Sequence, residues 1–123
     1  VIAFATHSGA REKSIRLIKM EKEEASSKSN ELSPYLEFAE KIKEMKKDNL
    51  AFLDDAKKRG KHIFGFGAPV KGNTLLNYFG IGTDYLDCLV EKNELRRGLF
   101  SPGMHIPIVI EKELKEQPDI YYV

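Results

Sequence analysis

Apolar side chains recur at alternating spacings of three and four residues between Ser33 and Gly60, which predicts one long amphipathic helix. Ser33 can cap the start of this helix, Pro34 suits its first turn, and Gly60 can end it. At about 1.5 Å per residue the helix would be roughly 40 Å long, more than a small sheet needs. We therefore expect half of it to pack on this domain and half on another part of the protein. A coiled coil is the alternative, although Asn49 interrupts the apolar seam. The stripe consists of Tyr35, Phe38, Ile42, Met45, Phe52 and Ala56.

After Gly60, short apolar runs alternate with helical patterns, and this order predicts an α/β fold. Hydrophobic strands and right-handed crossovers place the second and third strands outward from the first and return the fourth to its other side. We expect a Rossmann-like, small parallel sheet in the order third, second, first, fourth, flanked by helices and preceded by the long linker helix. Pro107 places the third strand at a sheet edge. The predicted strands are Lys61–Phe66, Tyr85–Val90, Ile106–Ile110 and Asp119–Val123, and the helices between them are Lys71–Phe79 and Glu111–Glu116.

The part of the chain before the long helix has a more polar pattern. Val1–Ala5 is apolar enough for a short strand, Lys13–Glu24 predicts a helix, and Ala25–Asn30 is a polar linker. Both chain ends fall in apolar runs, so we expect a fragment of a longer protein. We interpret residues 1–12 as the remnant strand and loop of a missing upstream domain, residues 13–60 as a helical linker region, and residues 61–123 as the α/β core.

Composition and charge narrow the classes of function. The chain has 123 residues with 41% hydrophobic and 32% charged side chains, as in a soluble globular domain. The net charge of +1 gives no field that favours nucleic acid or acidic membranes, so we expect neither as a partner. The lone Cys88 excludes an intrachain disulfide and fits a reducing, cytoplasmic compartment. Because Cys88 lies in an apolar run, we interpret it as a core residue and not as a reactive thiol.

The stretch from the first strand to the following helix carries the clearest candidate chemistry. Glycines allow a backbone to approach a phosphate, and a helix N-terminus offers free N–H groups and a partial positive charge. The spacing is not a standard dinucleotide loop, because Val70 stands at the third glycine position, nor a standard P-loop. A tight strand-to-helix turn without a ligand therefore stays open as an alternative. The candidate phosphate-binding residues are Gly65, Gly67 and Gly72 with Lys71, Asn73 and Thr74.

Two further positions are candidates for ligand contacts, each with a structural alternative. Glu91 ends the second strand 24 residues after Gly67, a spacing at which dinucleotide folds place an acid on a ribose hydroxyl. His105 follows a Pro-Gly pair in the long loop Lys92–His105 and could contact a ligand or only pack the loop. Metal binding is not expected, because the three histidines are far apart in sequence and the cysteine has no partner.

Two sequence blocks resemble the C-terminal domain of S-adenosylmethionine-dependent sugar C-methyltransferases. The first is Gly65-Phe-Gly-Ala-Pro-Val-Lys-Gly-Asn-Thr-Leu-Leu-Asn-Tyr78, similar to the family pattern G-Y-G-A-P-A-K-G-N-T-L-L-N-Y. The second is Val90-Glu-Lys-Asn93 followed by Gly98-Leu-Phe-Ser-Pro-Gly-Met-His-Ile-Pro-Ile108. The family's strand-end Asp is Glu91 here, and its Asn-Pro is Asn93-Glu94. The resemblance covers most of Lys13–Val123, including the long helix.

The resemblance implies a domain that holds a nucleotide-linked deoxysugar, with thymidine diphosphate as the expected nucleotide. It implies that S-adenosylmethionine serves the parent enzyme without binding to this fragment, that the catalytic residues lie in an upstream methyl-donor domain of the same chain, and that none lies here. An NAD-type nucleotide-binding module and a structural or interaction domain remain alternatives. By this resemblance and the loop chemistry together, the substrate-binding residues are Gly65, Gly67, Ala68, Pro69, Lys71, Gly72, Asn73, Thr74, Glu91, Asn93 and His105.

Overall fold

A computed structural model describes residues 4–123, in which 4–42 and 43–123 form two compact units. The strand predicted for Val1–Ala5 falls mainly outside the described residues. Phe4 and Ala5, which are described, have an irregular backbone. None of the helices in the described part of the chain is long and apolar enough to cross a membrane.

The first unit contains helix α1, which spans Ile15–Ser26. The helix starts two residues later than predicted because Ser14 caps it. The Ser14 hydroxyl oxygen accepts the N–H of Leu17 at 3.2 Å, which satisfies one of the unpaired donors of the first turn. After α1, the Tyr35 hydroxyl donates to the carbonyl oxygen of Ser29 at 2.7 Å, which ties the connecting turn to the start of the next helix.

Helix α2 spans Leu32–Lys58 and confirms the long helix that the apolar stripe predicts. The predicted cap is wrong by position, since the helix begins at Leu32 and Ser33 lies inside its first turn. Pro34 lies in the first turn, as predicted, where proline is tolerated because the N–H it lacks would have no acceptor within the helix.

The end of α2 agrees with the prediction for Gly60. This residue adopts φ of +71°, a left-handed conformation that glycine reaches without a Cβ penalty. Its N–H donates to the carbonyl of Lys57 at 2.9 Å, and the N–H of Lys61 donates to that of Ala56 at 3.1 Å. These two bonds form a Schellman motif, which pairs carbonyls of the last turn and directs the chain into the sheet.

The second unit holds a four-stranded, wholly parallel sheet, which confirms the predicted fold class. The strand order is β3-β2-β1-β4, as the alternation of strands and helices predicts. Each strand is shorter than its apolar run. The elements are β1 (Ile63–Phe66), α3 (Val70–Phe79), β2 (Cys88–Glu91), β3 (Ile108–Ile110) and β4 (Ile120–Tyr122), with 3₁₀ turns at Glu94–Arg96 and Glu111–Glu113.

Core residues lie on both faces of this sheet, since Leu89 and Val90 are neighbours in β2 and each is 2% exposed. Gly65 pairs with Leu89 and with Tyr122, and Leu89 pairs with Ile108, so these four residues share a face. Gly65 has a packing role there, because a Cβ at this position would lie 2.4 Å from Leu89 Cδ2. The buried apolar residues that build the core include Leu53, Ala56, Ile63, Leu76, Phe79, Ile81, Leu86, Leu89, Ile106, Ile108 and Ile110.

The second half of α2 belongs to this unit. Its Leu53 and Ala56 are completely buried. Asn49, the polar residue in the apolar stripe, accepts the Tyr122 hydroxyl on Oδ1 at 2.7 Å. The residue that interrupts a coiled-coil seam therefore connects α2 to the edge strand β4.

Candidate functional site

Residues 67–69, here called the glycine loop, connect β1 to α3 at the carboxyl edge of the sheet. Gly67 has φ of +84°, and its N–H donates to the carbonyl of Val90 at 2.7 Å. Pro69 stands at the N-cap position in an extended conformation and makes no side-chain cap hydrogen bond. Because the first N–H groups of a helix have no acceptor within it, the start of α3 presents donors and a partial positive charge.

Lys71 and Thr74 lie in the first turns of α3 and differ in what they can offer a ligand. Lys71 is exposed, so its ammonium can reach an anion at the start of the helix. The Thr74 hydroxyl donates to the carbonyl of Val70 at 3.2 Å, a bond back along the helix. Of the two side chains, Lys71 is the one suited to an anionic ligand.

Asn73 contributes a polar group that the rest of the described chain leaves unpaired. Its side-chain oxygen is buried and has no hydrogen-bond partner among residues 4–123. Its backbone N–H donates to the carbonyl of Pro69 at 3.0 Å, as in a regular helix. A buried polar atom without a partner costs about 1–3 kcal/mol, which makes Asn73 a candidate for a ligand contact.

A cavity of about 420 Å³ opens beside this loop. It lies where β2 leads the chain to one side of β1 and β4 returns on the other, because its lining includes the loop after β1 together with Tyr122 and Val123 at the end of β4. Open α/β sheets bind ligands at this kind of switch point. Of the predicted site residues, those that line the cavity are Gly65, Gly67, Ala68, Pro69, Gly72 and Asn73.

The other predicted residues do not line the cavity. Asn93 Oδ1 accepts the N–H of Leu95 at 3.1 Å and caps the 3₁₀ turn at Glu94–Arg96. His105 is exposed in a left-handed conformation with φ of +54°, and its Nδ1 lies 2.8 Å from the carbonyl oxygen of Gly103. The structure therefore brings together the glycine loop and Asn73 but places Asn93 and His105 in loop contacts.

Glu91 ends β2 close to the glycine loop, but its acceptor positions are occupied. Oε1 accepts the N–H groups of Lys92 at 2.8 Å and Asn93 at 3.1 Å. Oε2 accepts the N–H of Ala68 at 3.3 Å and Arg96 Nη1 at 2.9 Å. The N–H of Asn93, followed by those of Lys92 and Ala68 and the charge of Arg96, holds the pKa of Glu91 below its ordinary value although burial opposes this. The carboxylate thus fixes the loop in place.

Several residues at this site were missed by the sequence analysis. Arg96 pairs with Glu91 and also donates to the carbonyl oxygen of Ala68 through Nη1. Asn77 Nδ2 donates to the carbonyls of Asn73 at 2.8 Å and Pro102 at 2.9 Å, which joins α3 to the long loop. The acid five positions before Arg96 was a sequence signal for their ion pair. The hydrogen bond from Asn77 to Pro102 spans 25 residues, and no sequence pattern indicated it.

The carboxylate at the end of β2 is not free to hold a ribose. Dinucleotide folds place an acid at the end of the second strand to hold the ribose hydroxyls. Glu91 stands there, but with four donors its carboxylate has used its ordinary acceptor capacity. Within residues 4–123, moreover, no group of three or more His, Cys, Asp or Glu side chains is arranged to hold a metal ion.

Comparisons with known proteins give the family. A family model described as the C-methyltransferase C-terminal domain matches residues 1–123. "C-methyltransferase NovU" of Streptomyces niveus is 36% identical over 63 residues, a stretch that covers 50% of this chain and 15% of that relative. The matched stretch is thus a small part of the relative's length. Because the family model spans all the residues of the sequence, the chain belongs to the C-methyltransferase C-terminal domain family.

Proposed function

We propose that the chain is the substrate-binding domain of an S-adenosylmethionine-dependent C-methyltransferase, and that it holds a deoxysugar linked to a nucleotide such as thymidine diphosphate. The observation that carries this proposal is the position of the cavity, which adjoins the uncapped start of α3 at the switch point of the sheet. Membership of the C-methyltransferase C-terminal domain family supports the same reaction class.

The diphosphate binds at the first turn of α3 in this proposal. The N–H groups at the start of the helix and the Lys71 ammonium act on the same anion, and the left-handed Gly67 lets the backbone approach it. Glu91 and Arg96 hold the Ala68 backbone in position. Binding energy of this kind accelerates a reaction by orientation, without a reacting group on the domain.

The reacting groups belong to an upstream methyl-donor domain of the same cytoplasmic protein. A base there removes a proton next to the sugar carbonyl, and the resulting carbanion takes up a methyl group. S-adenosylmethionine supplies that methyl group when it is bound by the upstream domain. The saturated carboxylate of Glu91 supports a site for the cofactor elsewhere than in this chain.

Calorimetric titration of the intact protein tests the proposal. We expect thymidine diphosphate to bind with a micromolar dissociation constant, about −8 kcal/mol, and NAD to release no heat. Binding of NAD without binding of thymidine diphosphate would instead indicate a cofactor-binding module. A protein that binds neither nucleotide but self-associates would be an interaction domain.

A further inference from the structure

We propose that Asn77 is a positioning residue, which holds two walls of the cavity at a fixed separation and thereby sets the affinity of the site for its ligand. One wall is formed by α3 residues between Val70 and Leu76, and the other by residues 99–102 of the long loop. Asn77 does not line the cavity itself, so it acts through these walls. The inference rests on the proposed function for the ligand with which it is tested, thymidine diphosphate.

The Asn77 amide bridges the two walls with its nitrogen. Nδ2 donates to the carbonyl of Asn73 at 2.8 Å and to the carbonyl of Pro102 at 2.9 Å. Asn73 and Pro102 both line the cavity, one in each wall. Because carbonyl oxygens only accept hydrogen bonds, these partners require the amide nitrogen and not the amide oxygen. One side chain is thereby bonded to both walls.

The backbone of the long loop has few other attachments to α3. The N–H of Ile108 donates to the carbonyl of Leu99, and the N–H of Ser101 donates to the carbonyl of Ile106, each at 2.9 Å. These bonds hold the loop to itself and to β3. Among the residues that the structure describes, 4–123, the bond from Asn77 to Pro102 is the only hydrogen bond between residues 98–105 and α3.

Gly103 fixes the orientation of the Asn77 side chain. A Cβ on Gly103 would overlap Asn77 Oδ1 and would lie 2.8 Å from its Cγ, so an alanine there would displace the amide. Gly103 also has φ of +82°, which favours glycine. The amide thus lies against the loop backbone on its oxygen side and donates to both walls from its nitrogen.

A fixed separation of the walls matters to a ligand because a site that is already ordered loses less entropy on binding. Leu99 is 52% and Phe100 is 60% exposed, so burial in the core does not hold these two wall residues in place. Their distance from α3 depends on the loop backbone. Asn77 attaches that backbone to α3, and its loss should leave the cavity wider and less ordered.

A double-mutant cycle tests the role of Asn77. We expect Asn77→Ala in the intact protein to weaken the binding of thymidine diphosphate at least about tenfold in calorimetry. Gly103→Ala should have a similar effect, because its Cβ displaces the amide. The two losses should not add, since the added Cβ cannot displace a side chain that is already absent. Additive losses, or no loss with Asn77→Ala, would overturn the inference.

Gly98→Ala is the matched control for backbone strain. Gly98 lies in the same loop with φ of +69°, and a Cβ there would meet nothing within 4 Å. An alanine at Gly98 therefore has the strain of a left-handed residue without the overlap with Asn77. We expect its affinity to stay within about twofold of the wild type. If Gly98→Ala weakens binding as much as Gly103→Ala, strain explains the loss and the inference is wrong.

Hydrogen exchange tests the same role without a ligand. Asn77→Ala should accelerate exchange of the N–H groups of Ser101 and His105, which are bonded within the loop, and leave those of β1 unchanged. Unchanged exchange in the loop would overturn the inference. Faster exchange with unchanged affinity would also overturn it, because Asn77 would then support the loop without serving a ligand.

The two proposals fail in different ways. If the wild type does not bind thymidine diphosphate, the proposed function fails, and hydrogen exchange decides whether Asn77 holds the walls. If the wild type binds the nucleotide and Asn77→Ala binds it equally well, only the inference about Asn77 is wrong. Circular dichroism shows whether each variant keeps the fold. Should Asn77→Ala unfold, Asn77→Leu provides the comparison, since leucine is close to asparagine in size and lacks the hydrogen bonds.

Discussion

The Arg96 guanidinium lies 2.9 Å from Oε2 of Glu91, and the same Nη1 donates to the backbone of the glycine loop at Ala68. This pair joins the end of β2 to the loop after β1. The loop is thereby held from the β2 side of β1, since β4 lies on the other side. This support keeps the loop backbone in position beside the cavity.

Glu91→Gln should lower the stability of the fold in a manner that depends on pH. The N–H donors lower the pKa of Glu91 in the folded state, so the ionised carboxylate stabilises the protein above the pKa of the unfolded chain. That contribution is lost as the pH falls through the lower, folded pKa. Near neutral pH we expect the free energy of unfolding to fall by about 1–2 kcal/mol.

Urea unfolding of the wild type and Glu91→Gln at neutral and at strongly acidic pH measures this difference. The difference in the free energy of unfolding between the two proteins should be smaller at acidic pH. Glu116→Gln is the control, since Glu116 is an exposed carboxylate outside the site. If the difference in the free energy of unfolding is the same at both pH values, the charge of Glu91 does not stabilise the loop.

Lys71→Ala should weaken the binding of thymidine diphosphate by about tenfold to a hundredfold, the loss expected for one charge-assisted hydrogen bond of roughly 1.5–3 kcal/mol. The fold should be retained, because Lys71 is exposed and alanine is a good helix former. Calorimetry on the intact protein measures the change, with Lys115→Ala as a control at an exposed lysine outside the site. Equal affinities of Lys71→Ala and wild type would leave the backbone N–H groups as the diphosphate anchor.

Tyr122→Phe should destabilise the second unit by about 1–2 kcal/mol, because it removes the hydroxyl that donates to Asn49 and leaves a part-buried amide oxygen without that donor. Tyr121→Phe is a matched control on the adjacent residue, whose hydroxyl donates to exposed Gln117 at 2.8 Å. Thermal and urea unfolding compare the two variants. If both variants lose the same free energy of unfolding, the hydrogen bond between α2 and β4 stabilises the unit no more than an exposed one does.

Cys88 should react with thiol reagents only when the chain unfolds. The residue is buried, and burial, together with the nearby Asp87, raises the pKa of its thiol to about 11. Only the thiolate is nucleophilic, so both access and ionisation oppose reaction. A Ser27→Cys variant supplies an exposed thiol as an internal control. Rapid modification of Cys88 in native buffer, at the rate of the exposed thiol, would contradict the core assignment.

The sequence by itself determined the features that depend on local spacing. The three- and four-residue periodicity was sufficient to predict helix α2. Gly60 was sufficient to predict where it ends, because glycine readily adopts the left-handed conformation that closes this helix. The alternation of strands and helices was sufficient for the sheet order, since right-handed crossovers leave few topologies.

Only the tertiary structure decided which polar residues find hydrogen-bond partners within the chain. Asn49 interrupts an apolar stripe, and its side chain accepts a hydrogen bond from Tyr122, which lies 73 positions away in the sequence. Glu91 has the spacing of a ribose ligand, yet it accepts four hydrogen bonds from its own chain. Asn73, in contrast, lines the cavity and has a buried side-chain oxygen without a hydrogen-bond partner among residues 4–123. A sequence states which donors and acceptors exist, but their partners depend on distances that arise only when remote segments pack together.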